Sequence, residues 1–504
     1  MVRVRFAPSP TGYLHIGGLR TALYNELFAQ RHGGVFVLRI EDTDRTRYVE
    51  GAVENLLRTL AWAGVTPAEG PYLADDGSIK ERGDHGPYVQ SARLDKYQAA
   101  AADLLAKGAA YRCFCSPERL EEVKKAQAAA KQPMIYDKLC RALPPADAAA
   151  RAEKGEPHVL RMRMPDSGAT MFTDAIRGDV SFENVLVDDQ VLMKTDGYPT
   201  YHLANVVDDH DMQITHVIRG EEWLPSTPKH IVLYLALGWT PPTFAHLPLL
   251  LNADRSKLSK RQGDVAVEDY KNKGYLPEAM VNFVALLGWN PTADREVYEK
   301  RELAEAFDLG KINKAGAVVS MDKLNWLNRE YLKAMPMEEI GRRAEPFFVE
   351  SGILKREGDK VVSAATGAAV GDMIARAAEL EKRRVDTLAQ LPEATAFLFS
   401  GPLTYEQDAL VGKKSDAQVA KARLEGLLTF LADLAPEAWA TAKTLEEPVI
   451  AHIAAQGWTN GESLWPFRVA LTARAQSPSP FEVAWALGKD KTLSRIQDAL
   501  RTLA

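Results

Sequence analysis

Cysteine is nearly absent from this chain, with 3 among 504 residues, and so few thiols cannot form the disulfide framework of a secreted module. Long apolar runs are missing as well, because no stretch approaches the ~20 apolar residues of a membrane helix. The first five residues, MVRVR, enter a strand pattern directly and leave no room for a secretory signal. These absences predict a protein of the reducing cytoplasm that does not contact a membrane.

The chain also lacks the strongly positive charge of a general nucleic-acid coat protein, since its formal net charge is −6. A single basic face can still bind phosphates while the rest of the surface is acidic. With 504 residues the chain is too long for one hydrophobic core. We therefore expect several domains.

The first forty residues predict a parallel sheet. Apolar residues alternate with arginine over residues 2–6, which indicates a strand. Leucine then recurs at every fourth position over residues 19–27 and predicts a helix that begins after Gly17-Gly18. Residues 35–40 form an apolar run that predicts a second strand. A strand, a helix and a strand in this order make a βαβ unit with parallel strands.

The pattern changes over residues 93–200, where alanine-rich helical stretches mix with strand-like runs. This change predicts an insertion that interrupts the sheet. The sheet is predicted to resume with strands at 201–207, 215–218 and 246–251. Beyond residue 261 the chain turns helical, and from about residue 335 onward it carries few strand signals.

Two segments far apart in the sequence have the residues of a nucleotide site, and the first of them is FAPSPTGYLHIGG, residues 6–18. Gly17 and Gly18 stand just before the predicted helix, where backbone N–H groups converge and phosphates can approach closely. His15 supplies a hydrogen-bond donor for a phosphate oxygen that gains charge in the transition state. A lone glycine turn of this kind would be structural, whereas the full segment indicates a site.

The second segment is KLSKR, residues 257–261. Lys257 and Lys260 bring two ammonium groups, which lower the barrier to adenylate formation when they approach a triphosphate. Mg²⁺ that bridges the phosphates is expected for the same reason. Most basic clusters are solvated surface loops. This one follows a predicted strand at the carboxyl edge of the sheet, where ligands of open α/β folds bind.

In this order the two segments resemble the HIGH and KMSKS motifs of the class I aminoacyl-tRNA synthetases, and the first is similar to the bacterial glutamyl type. Gly18 stands where the general motif has its second histidine, so that His15 alone would carry the side-chain donor. The resemblance implies an α/β multidomain fold. It consists of a Rossmann-like doubly wound catalytic domain, an inserted acceptor-binding domain and an all-α anticodon-binding region at the C-terminus.

This resemblance also implies domain boundaries. The domains would be a split catalytic domain over 1–92 and 201–255, an inserted acceptor-binding domain over 93–200, the KLSKR loop with a stem-contact domain over 256–335, and a helical anticodon-binding region over 336–504. Glutaminyl enzymes carry β-barrels in the last position, and the helical pattern there favours the glutamyl type.

The family's glutamate pocket is built from four motifs, RFAPS, RIEDTD, PTYHLANVVDD and VIRGEEW, and all four are intact here. The glutamate-binding residues that the resemblance implies are Arg5, Ser9, Glu41, Tyr201, Asn205 and Arg219. The ATP-binding residues that it implies are His15, Gly17, Gly18, Glu222, Leu250, Lys257 and Lys260. Of these, His15, Lys257 and Lys260 would be catalytic.

A glutamate substrate needs an anion for its ammonium group and a cation for its side-chain carboxylate, and arginine binds a carboxylate bidentately. Glu41 would hold the ammonium group, while Arg5 and Arg219 would supply positive charge. The alternatives are a structural ion pair between these arginines and the glutamate, and ordinary packing or capping for Tyr201 and Asn205.

All three cysteines, Cys113, Cys115 and Cys140, fall within 28 residues, and Cys-x-Cys with a distant third cysteine is a spacing compatible with zinc. The segment resembles the zinc-bearing insertion of some bacterial glutamyl enzymes, in which Tyr136 also has a counterpart. Ala142 stands where a further ligand would have been expected. The alternative is a relic site with buried thiols.

The activity that the resemblance implies is glutamate--tRNA ligation. The chain would use ATP and Mg²⁺ to activate L-glutamate, in a step that waits for tRNA, and would transfer it to the 3′-terminal adenosine of tRNA(Glu) as a monomer. The alternatives are a non-discriminating form that also charges tRNA(Gln), a paralogue that glutamylates a modified tRNA base, a catalytically silent tRNA-binding protein, and an adenylyltransferase that acts without tRNA.

Overall fold

The computed structural model describes residues 1–44, 46–258, 266–412 and 415–503. The chain forms two compact units, one of residues 1–270 and 277–323 and one of residues 271–276 and 324–504. Among the described residues, no helix combines the length and the apolar character needed to cross a membrane.

The strands are β1 (Arg3–Phe6), β2 (Val35–Leu38), β3 (Gly70–Leu73), β4 (Ile79–Arg82), β5 (Ala110–Cys113), β6 (Val159–Met162), β7 (Ala169–Asp174), β8 (Gly178–Glu183), β9 (Val191–Met193), β10 (His216–Gly220), β11 (Thr243–Leu247), β12 (Leu250–Leu251), β13 (Ala317–Val318), β14 (Leu354–Glu357) and β15 (Lys360–Ser363).

The helices of the first 285 residues are α1 (Ile16–Arg31), α2 (Ala52–Trp62), α3 (Leu94–Ala106), α4 (Pro117–Ala129), α5 (Pro145–Glu153), α6 (Tyr201–Asp211), α7 (Thr227–Leu237), α8 (Val267–Asn272) and α9 (Pro277–Ala285). The later helices are α10 (Lys300–Ala306), α11 (Met321–Ala334), α12 (Met337–Glu350), α13 (Met373–Glu381), α14 (Leu391–Phe399), α15 (Gln407–Val411), α16 (Ala417–Asp433), α17 (Ala442–Ala455), α18 (Asn460–Thr472), α19 (Pro480–Leu487) and α20 (Lys489–Thr502).

The first unit is built on a six-stranded sheet with the order β2-β1-β10-β11-β7-β8. Neighbouring strands are parallel from β2 to β7, and β8 closes the edge in the antiparallel sense. The order of the strands turns around at β1, since β2 lies on one side of it and β10 on the other. Ligands of such sheets bind outside the carboxyl ends of the strands at this switch point.

The predicted βαβ unit is confirmed, because β1 and β2 pair in parallel with Phe6 opposite Leu38. The predicted start of the helix between them is wrong. Helix α1 begins at Ile16, so that Gly17 and Gly18 lie in its first turn. The helix starts early because the side chain of His15 caps it by accepting from the backbone N–H of Gly18.

The predicted strand at 201–207 is also wrong, because these residues form the first turns of α6. Leu203, Val206 and Val207 are fully buried, and their spacing of three and four places them on one helix face. An apolar run this short does not distinguish a buried strand from a buried helix. Tyr201 and Asn205, which lie within the predicted strand, are therefore helical residues of α6.

The predicted strand at 246–251 is interrupted. Strand β11 ends at Leu247, and the following Pro248 has no N–H to donate to a ladder. Residues 250–251 then form β12, which pairs with β13 in a separate two-stranded sheet. The segment predicted as an insertion contributes β7 and β8 to the six-stranded sheet, while β5, β6 and β9 form a sheet of their own.

The second unit is predominantly helical from residue 324 onward, as predicted, with the antiparallel hairpin β14–β15 as its strand element among the described residues. Helix α16 shows why the pattern is helical. Its buried residues Ala420, Leu424, Leu427 and Leu431 recur at spacings of four, three and four.

Candidate functional site

A cavity of about 500 Å³ opens at the carboxyl edge of the six-stranded sheet. Eleven of the residues predicted for the glutamate and ATP sites line it: Arg5, Ser9, His15, Gly17, Gly18, Glu41, Tyr201, Arg219, Glu222, Leu250 and Lys257. Asn205 lies behind this lining, with its Nδ2 atom 3.4 Å from Nε2 of His230. Lys260 lies outside the described residues. The two distant sequence segments are therefore brought to one cavity.

His15 caps α1 from the residue before its first turn. Its Nδ1 atom accepts a hydrogen bond from the backbone N–H of Gly18 at 3.1 Å. An imidazole that accepts at Nδ1 carries its proton at Nε2. The cap thus fixes the tautomer that offers an N–H donor to a ligand, and the side chain is exposed at the cavity.

The two glycines of the first segment are required by close contacts. A Cβ atom at Gly18 would lie 2.6 Å from Cδ1 of Leu14, and one at Gly17 would lie 3.1 Å from the imidazole of His15. A larger residue would require the Leu14 side chain to move at Gly18 and the His15 imidazole to shift slightly at Gly17. The glycines therefore keep the histidine seated on the helix as well as opening the backbone to a ligand.

Arg219, at the end of β10, is buried and is surrounded by acceptors that carry no charge. A guanidinium has five N–H groups, and five acceptor atoms surround this one. They are Nε2 of His246 at 3.1 Å, the Tyr201 hydroxyl at 3.1 Å, Nδ1 of His230 at 3.3 Å, the Thr227 hydroxyl at 3.0 Å and the Trp223 carbonyl at 3.4 Å.

The histidines around Arg219 are neutral. Burial, reinforced by the positive charge of Arg219, lowers the pKa of His230 far below its usual range and lowers that of His246 as well. Burial, with Lys229 and Arg219 nearby, lowers the pKa of His202 to about 3. Within the described part of the chain, no carboxylate lies within ion-pairing distance of Arg219. Its charge is therefore held in place without being compensated, and a ligand carboxylate is the group that would compensate it.

Arg5 differs in this respect, because its charge is already shared. Its Nε atom lies 3.1 Å from Oδ1 of Asp209, which also accepts from Nη1 of Arg39 at 2.7 Å. Arg39 in turn donates through Nη2 to Oε1 of Glu41 at 3.0 Å. All four side chains are buried. The structural ion pair that was the alternative for Glu41 does exist, but its partner is Arg39.

Glu41 titrates near neutrality in this setting. Burial raises its pKa to about 7, although the positive charges of Arg39 and Arg5 lower it in part. Asp209 adds a small repulsion in the same direction as burial. A carboxylate of this kind favours the arrival of a cation, because a bound ammonium group would stabilise its ionised form.

Sequence reasoning missed the charged residues beneath the cavity, which are Arg39, Asp208 and Asp209. Asp208 accepts hydrogen bonds from Arg93 at 2.6 Å and from Gln90 at 2.8 Å. The available signal was a charged residue in an apolar context, since Arg39 stands between Leu38, the last residue of β2, and Ile40, and both neighbours are buried. Charged residues are almost never fully buried unless they are paired.

The second segment reaches the cavity through Lys257. This residue forms an isolated bridge with Leu251, and the N–H of Leu258 donates to the carbonyl of Leu250 at 3.0 Å. The chain therefore doubles back beside β12 before it enters the rest of KLSKR. The segment thus follows a strand, β12, which is consistent with its predicted position after a strand.

The three cysteines come together away from the cavity. Their Sγ atoms all lie within 4.8 Å of one another. The Tyr136 hydroxyl is 3.4 Å from Sγ of Cys113 and 3.4 Å from Sγ of Cys115. Three thiols and one phenol oxygen around a common centre make a donor set of the size that tetrahedral Zn²⁺ uses.

The chain matches two family models. Residues 1–326 match the catalytic domain of class I tRNA synthetases (E and Q), and residues 339–500 match an anticodon binding domain. Among curated proteins it is 44% identical to the glutamate--tRNA ligase of Finegoldia magna, with 99% of each chain covered. It is 45% identical to that of Chloroherpeton thalassium, covering 100% of this chain and 98% of the relative.

Two solved structures are similar over their whole length. The crystal structure of a glutamate tRNA ligase from Elizabethkingia meningosepticum in complex with its amino acid has a TM-score of 0.83 at 35% identity and covers 100% of both chains. The glutamate-tRNA synthetase of Elizabethkingia anophelis has a TM-score of 0.82 at 35% identity, with 99% of this chain and 100% of that chain covered.

Proposed function

Because this chain belongs to the E and Q family of class I tRNA synthetases, we propose that it is a glutamate--tRNA ligase (EC 6.1.1.17). It activates L-glutamate with ATP and transfers the glutamyl group to the 3′-terminal adenosine of tRNA(Glu). The observation that carries the choice of amino acid is the buried guanidinium of Arg219, which has neutral partners on every side. A site for glutamine would not need an uncompensated cation.

In the proposed complex the side-chain carboxylate of glutamate pairs with Arg219, and its ammonium group lies at Glu41. Arg5, in β1, and Ser9, just beyond its end, also line the cavity. The α-carboxylate attacks the α-phosphate of ATP, and pyrophosphate leaves. His15 donates from Nε2 to the phosphate as negative charge develops.

The nucleotide occupies the other half of the cavity, between Gly17, Glu222, Leu250 and Lys257. Lys257 and Lys260 stabilise the leaving pyrophosphate with their positive charge. Mg²⁺ would enter with the nucleotide and would supply positive charge to its phosphates, since proteins usually hold Mg²⁺ through substrate phosphates and few side chains. The proposed placement of tRNA follows the domain order, with the acceptor end at 93–200, the stem at 256–335 and the anticodon at 336–504.

The proposal includes monomeric action in the cytoplasm, where tRNA is charged for protein synthesis. A paralogue that modifies a tRNA base is not favoured, because such proteins lack an anticodon-binding half and this chain matches one over residues 339–500. The same match argues against an adenylyltransferase that acts without tRNA.

The proposed function is tested by charging. Radiolabelled L-glutamate is offered with purified tRNA(Glu) and tRNA(Gln), with L-glutamine as the competing amino acid. We expect glutamate on tRNA(Glu) and no incorporation of glutamine. Glutamate on both tRNAs would make the enzyme non-discriminating and would imply a partner amidotransferase. Failure to charge either tRNA would overturn the proposal in favour of a base-modifying or silent tRNA-binding protein.

The pH dependence of glutamate use tests the role of Glu41. With its pKa raised to about 7, the carboxyl is progressively protonated as the pH falls through that value and can no longer pair with an ammonium group. We expect kcat/KM for glutamate to fall below about pH 7, since this ratio reports the groups of the unbound enzyme. The measurement is a pH series of charging at saturating ATP and tRNA.

The control for this series is Glu41→Gln, which removes the titrating group. It is expected to lower kcat/KM for glutamate at every pH and to flatten its fall below neutrality. His202 and His230 do not titrate in this range, because burial keeps the pKa of each far below it. If Glu41→Gln showed the same fall in kcat/KM below neutrality, the fall would belong to another titrating group.

We propose that Cys113, Cys115, Cys140 and Tyr136 hold a structural Zn²⁺ ion. The three Sγ atoms lie within 4.8 Å of one another, and the Tyr136 oxygen contacts two of them at 3.4 Å, which fits one ion with four ligands. When bound, the ion would tie β5 to the loop that follows α4. Ala142 adds no ligand, so that the phenol oxygen completes the set.

Elemental analysis of gently purified protein is expected to show about one zinc per chain. Tyr136→Phe is expected to lower zinc retention against a chelator, whereas Tyr72→Phe in the hairpin β3–β4 serves as a matched control and should retain it. Zinc well below one per chain in the unaltered protein would favour buried thiols without metal.

A further inference from the structure

Two buried residues behind Arg219 are not used by the reaction as described. His246 lies in the buried part of β11, and Asp174 ends β7, the neighbouring strand in the sheet. The two strands pair with Asp174 opposite Phe244. The side chain of Asp174 therefore meets that of His246, two residues further along β11. Nδ1 of His246 lies 2.6 Å from Oδ2 of Asp174, and its Nε2 lies 3.1 Å from Nε of Arg219.

The position of the ring proton follows from these contacts. The Nε atom of Arg219 carries a single hydrogen and can only donate, so Nε2 of His246 must accept. The proton of the neutral ring is therefore on Nδ1, where it is donated to Asp174. Burial lowers the pKa of His246, and although the hydrogen bond to Asp174 raises it in part, the charge of Arg219 adds to the lowering and the ring stays neutral.

The orientation of Asp174 is fixed independently. Its Oδ1 atom accepts from the backbone N–H groups of Ile176 and Arg177, both at 2.9 Å, and from that of His246 at 3.3 Å, which leaves Oδ2 for the imidazole of His246. Burial alone would raise the pKa of Asp174, but the hydrogen bonds from His246 and from these backbone groups lower it. The carboxylate is therefore ionised and faces the Nδ1–H of His246.

We propose that Asp174 and His246 are positioning residues for glutamate selection, which orient Arg219 without neutralising it. A carboxylate in direct contact would also orient the guanidinium, as Asp209 does for Arg5, but it would compete with the carboxylate of the substrate. The intervening imidazole places the negative charge one residue away. This inference rests on the proposed function, since it concerns the binding of glutamate at Arg219.

Asp174→Asn tests the arrangement while preserving the shape of the side chain. The backbone N–H groups of Ile176 and Arg177 require an oxygen, so the new amide keeps its oxygen there and turns its NH₂ group toward Nδ1 of His246. The ring must then accept at Nδ1 and carry its proton on Nε2, which faces the N–H of Arg219 at 3.1 Å and the Thr227 hydroxyl at 3.2 Å. This reversal sets two donors against each other.

We expect Asp174→Asn to raise KM for glutamate by about 10- to 100-fold, as happens when a hydrogen bond to a charged group is lost. The ratio of glutamate to glutamine incorporation should fall, while KM for ATP should stay within about twofold because Arg219 is not among the residues proposed to bind the nucleotide. These constants are measured with tRNA(Glu) present. Asp179→Asn, an exposed change on β8, is the matched control and should behave as the unaltered protein does.

A second pair of variants keeps the test decisive if Asp174→Asn does not fold. His246→Gln can return an oxygen acceptor near the position of Nε2, whereas His246→Leu cannot. We expect His246→Gln to retain more of the affinity for glutamate than His246→Leu does. Equal constants for these two variants would overturn the positioning role.

Two further results would overturn the inference. One is a folded Asp174→Asn variant whose KM for glutamate and whose amino-acid selectivity are unchanged. The other is an equal rise in KM for glutamate and for ATP, which would indicate a general structural role. Failure of the unaltered protein to charge glutamate would instead count against the proposed function, so the two failures are distinguishable.

Discussion

Arg219→Ala is expected to lower kcat/KM for glutamate by about 10³-fold, because removing one partner of a buried charge pair costs about 2–5 kcal/mol or more. The side-chain carboxylate of glutamate would then enter a buried site with no cation to compensate it. KM for ATP should change little, since the contacts of Arg219 are with Tyr201, Thr227 and the two histidines. The constants are measured by charging of tRNA(Glu).

Arg219→Lys is the informative companion to this variant. It keeps the charge but replaces five N–H groups in a planar fork by three donors on a compact ammonium group. The five neutral acceptors around Arg219 match the fork, so we expect the lysine variant to recover little of the lost kcat/KM. Full recovery would mean that charge alone, without orientation, selects glutamate.

A different outcome would reassign the pocket. If Arg219→Ala left both KM and kcat for glutamate unchanged, the side-chain carboxylate would have to bind elsewhere, with Arg5 as the remaining predicted cation. Arg5 is less suited to that task because Asp209 already compensates it at 3.1 Å. The comparison of the two arginines is therefore a direct test of whether an unpaired cation defines the amino-acid site.

The cavity could be predicted from the sequence because its residues lie in short segments that carry their own chemical signal. Gly17 and Gly18 within the full segment 6–18, and two lysines that follow a predicted strand at the carboxyl edge of the sheet, together indicate phosphate binding. The parallel arrangement of β1 and β2 then followed from a single βαβ unit. Residues 6–18 and 257–258 consequently meet at the cavity as expected.

The shell behind the cavity could not be predicted, because its parts are joined only by tertiary contacts. Asp174 and His246 are separated by 72 residues and come within 2.6 Å through the pairing of β7 with β11. The segment that carries Asp174 was assigned to an insertion outside the sheet. No local pattern distinguishes such a residue from a surface aspartate.

Residues 201–211 show that local sequence can also fail to predict the type of a single element. The apolar run predicted a strand, and α6 formed instead because its apolar positions also satisfy a helical repeat. Although the predicted secondary structure was wrong, Tyr201 and Asn205 still lie at the site. Tyr201, in the first turn of α6, reaches Arg219 with its hydroxyl at 3.1 Å, and Asn205, one turn later, lies against His230.

His15→Ala is expected to lower the rate of adenylate formation by about 10²- to 10³-fold, the usual loss when one preorganised donor to a developing oxyanion is removed. The alanine variant would also lose the cap of α1, at a cost of about 1 kcal/mol in folding free energy. The two losses must be separated, because a frayed first turn would itself disturb Gly17 and Gly18. Single-turnover formation of the adenylate in the presence of tRNA measures the first loss, and thermal unfolding measures the second.

His15→Asn makes that separation. Asparagine is among the best N-cap residues, and its side-chain oxygen can accept from the N–H of Gly18 as Nδ1 of His15 does now at 3.1 Å. It has no donor at the position of Nε2. We therefore expect near-normal thermal stability with the same loss of rate as in the alanine variant, while His32→Asn, an exposed change at the other end of α1, should alter neither. If His15→Asn retained the normal rate, the histidine would act in catalysis only through the helix cap.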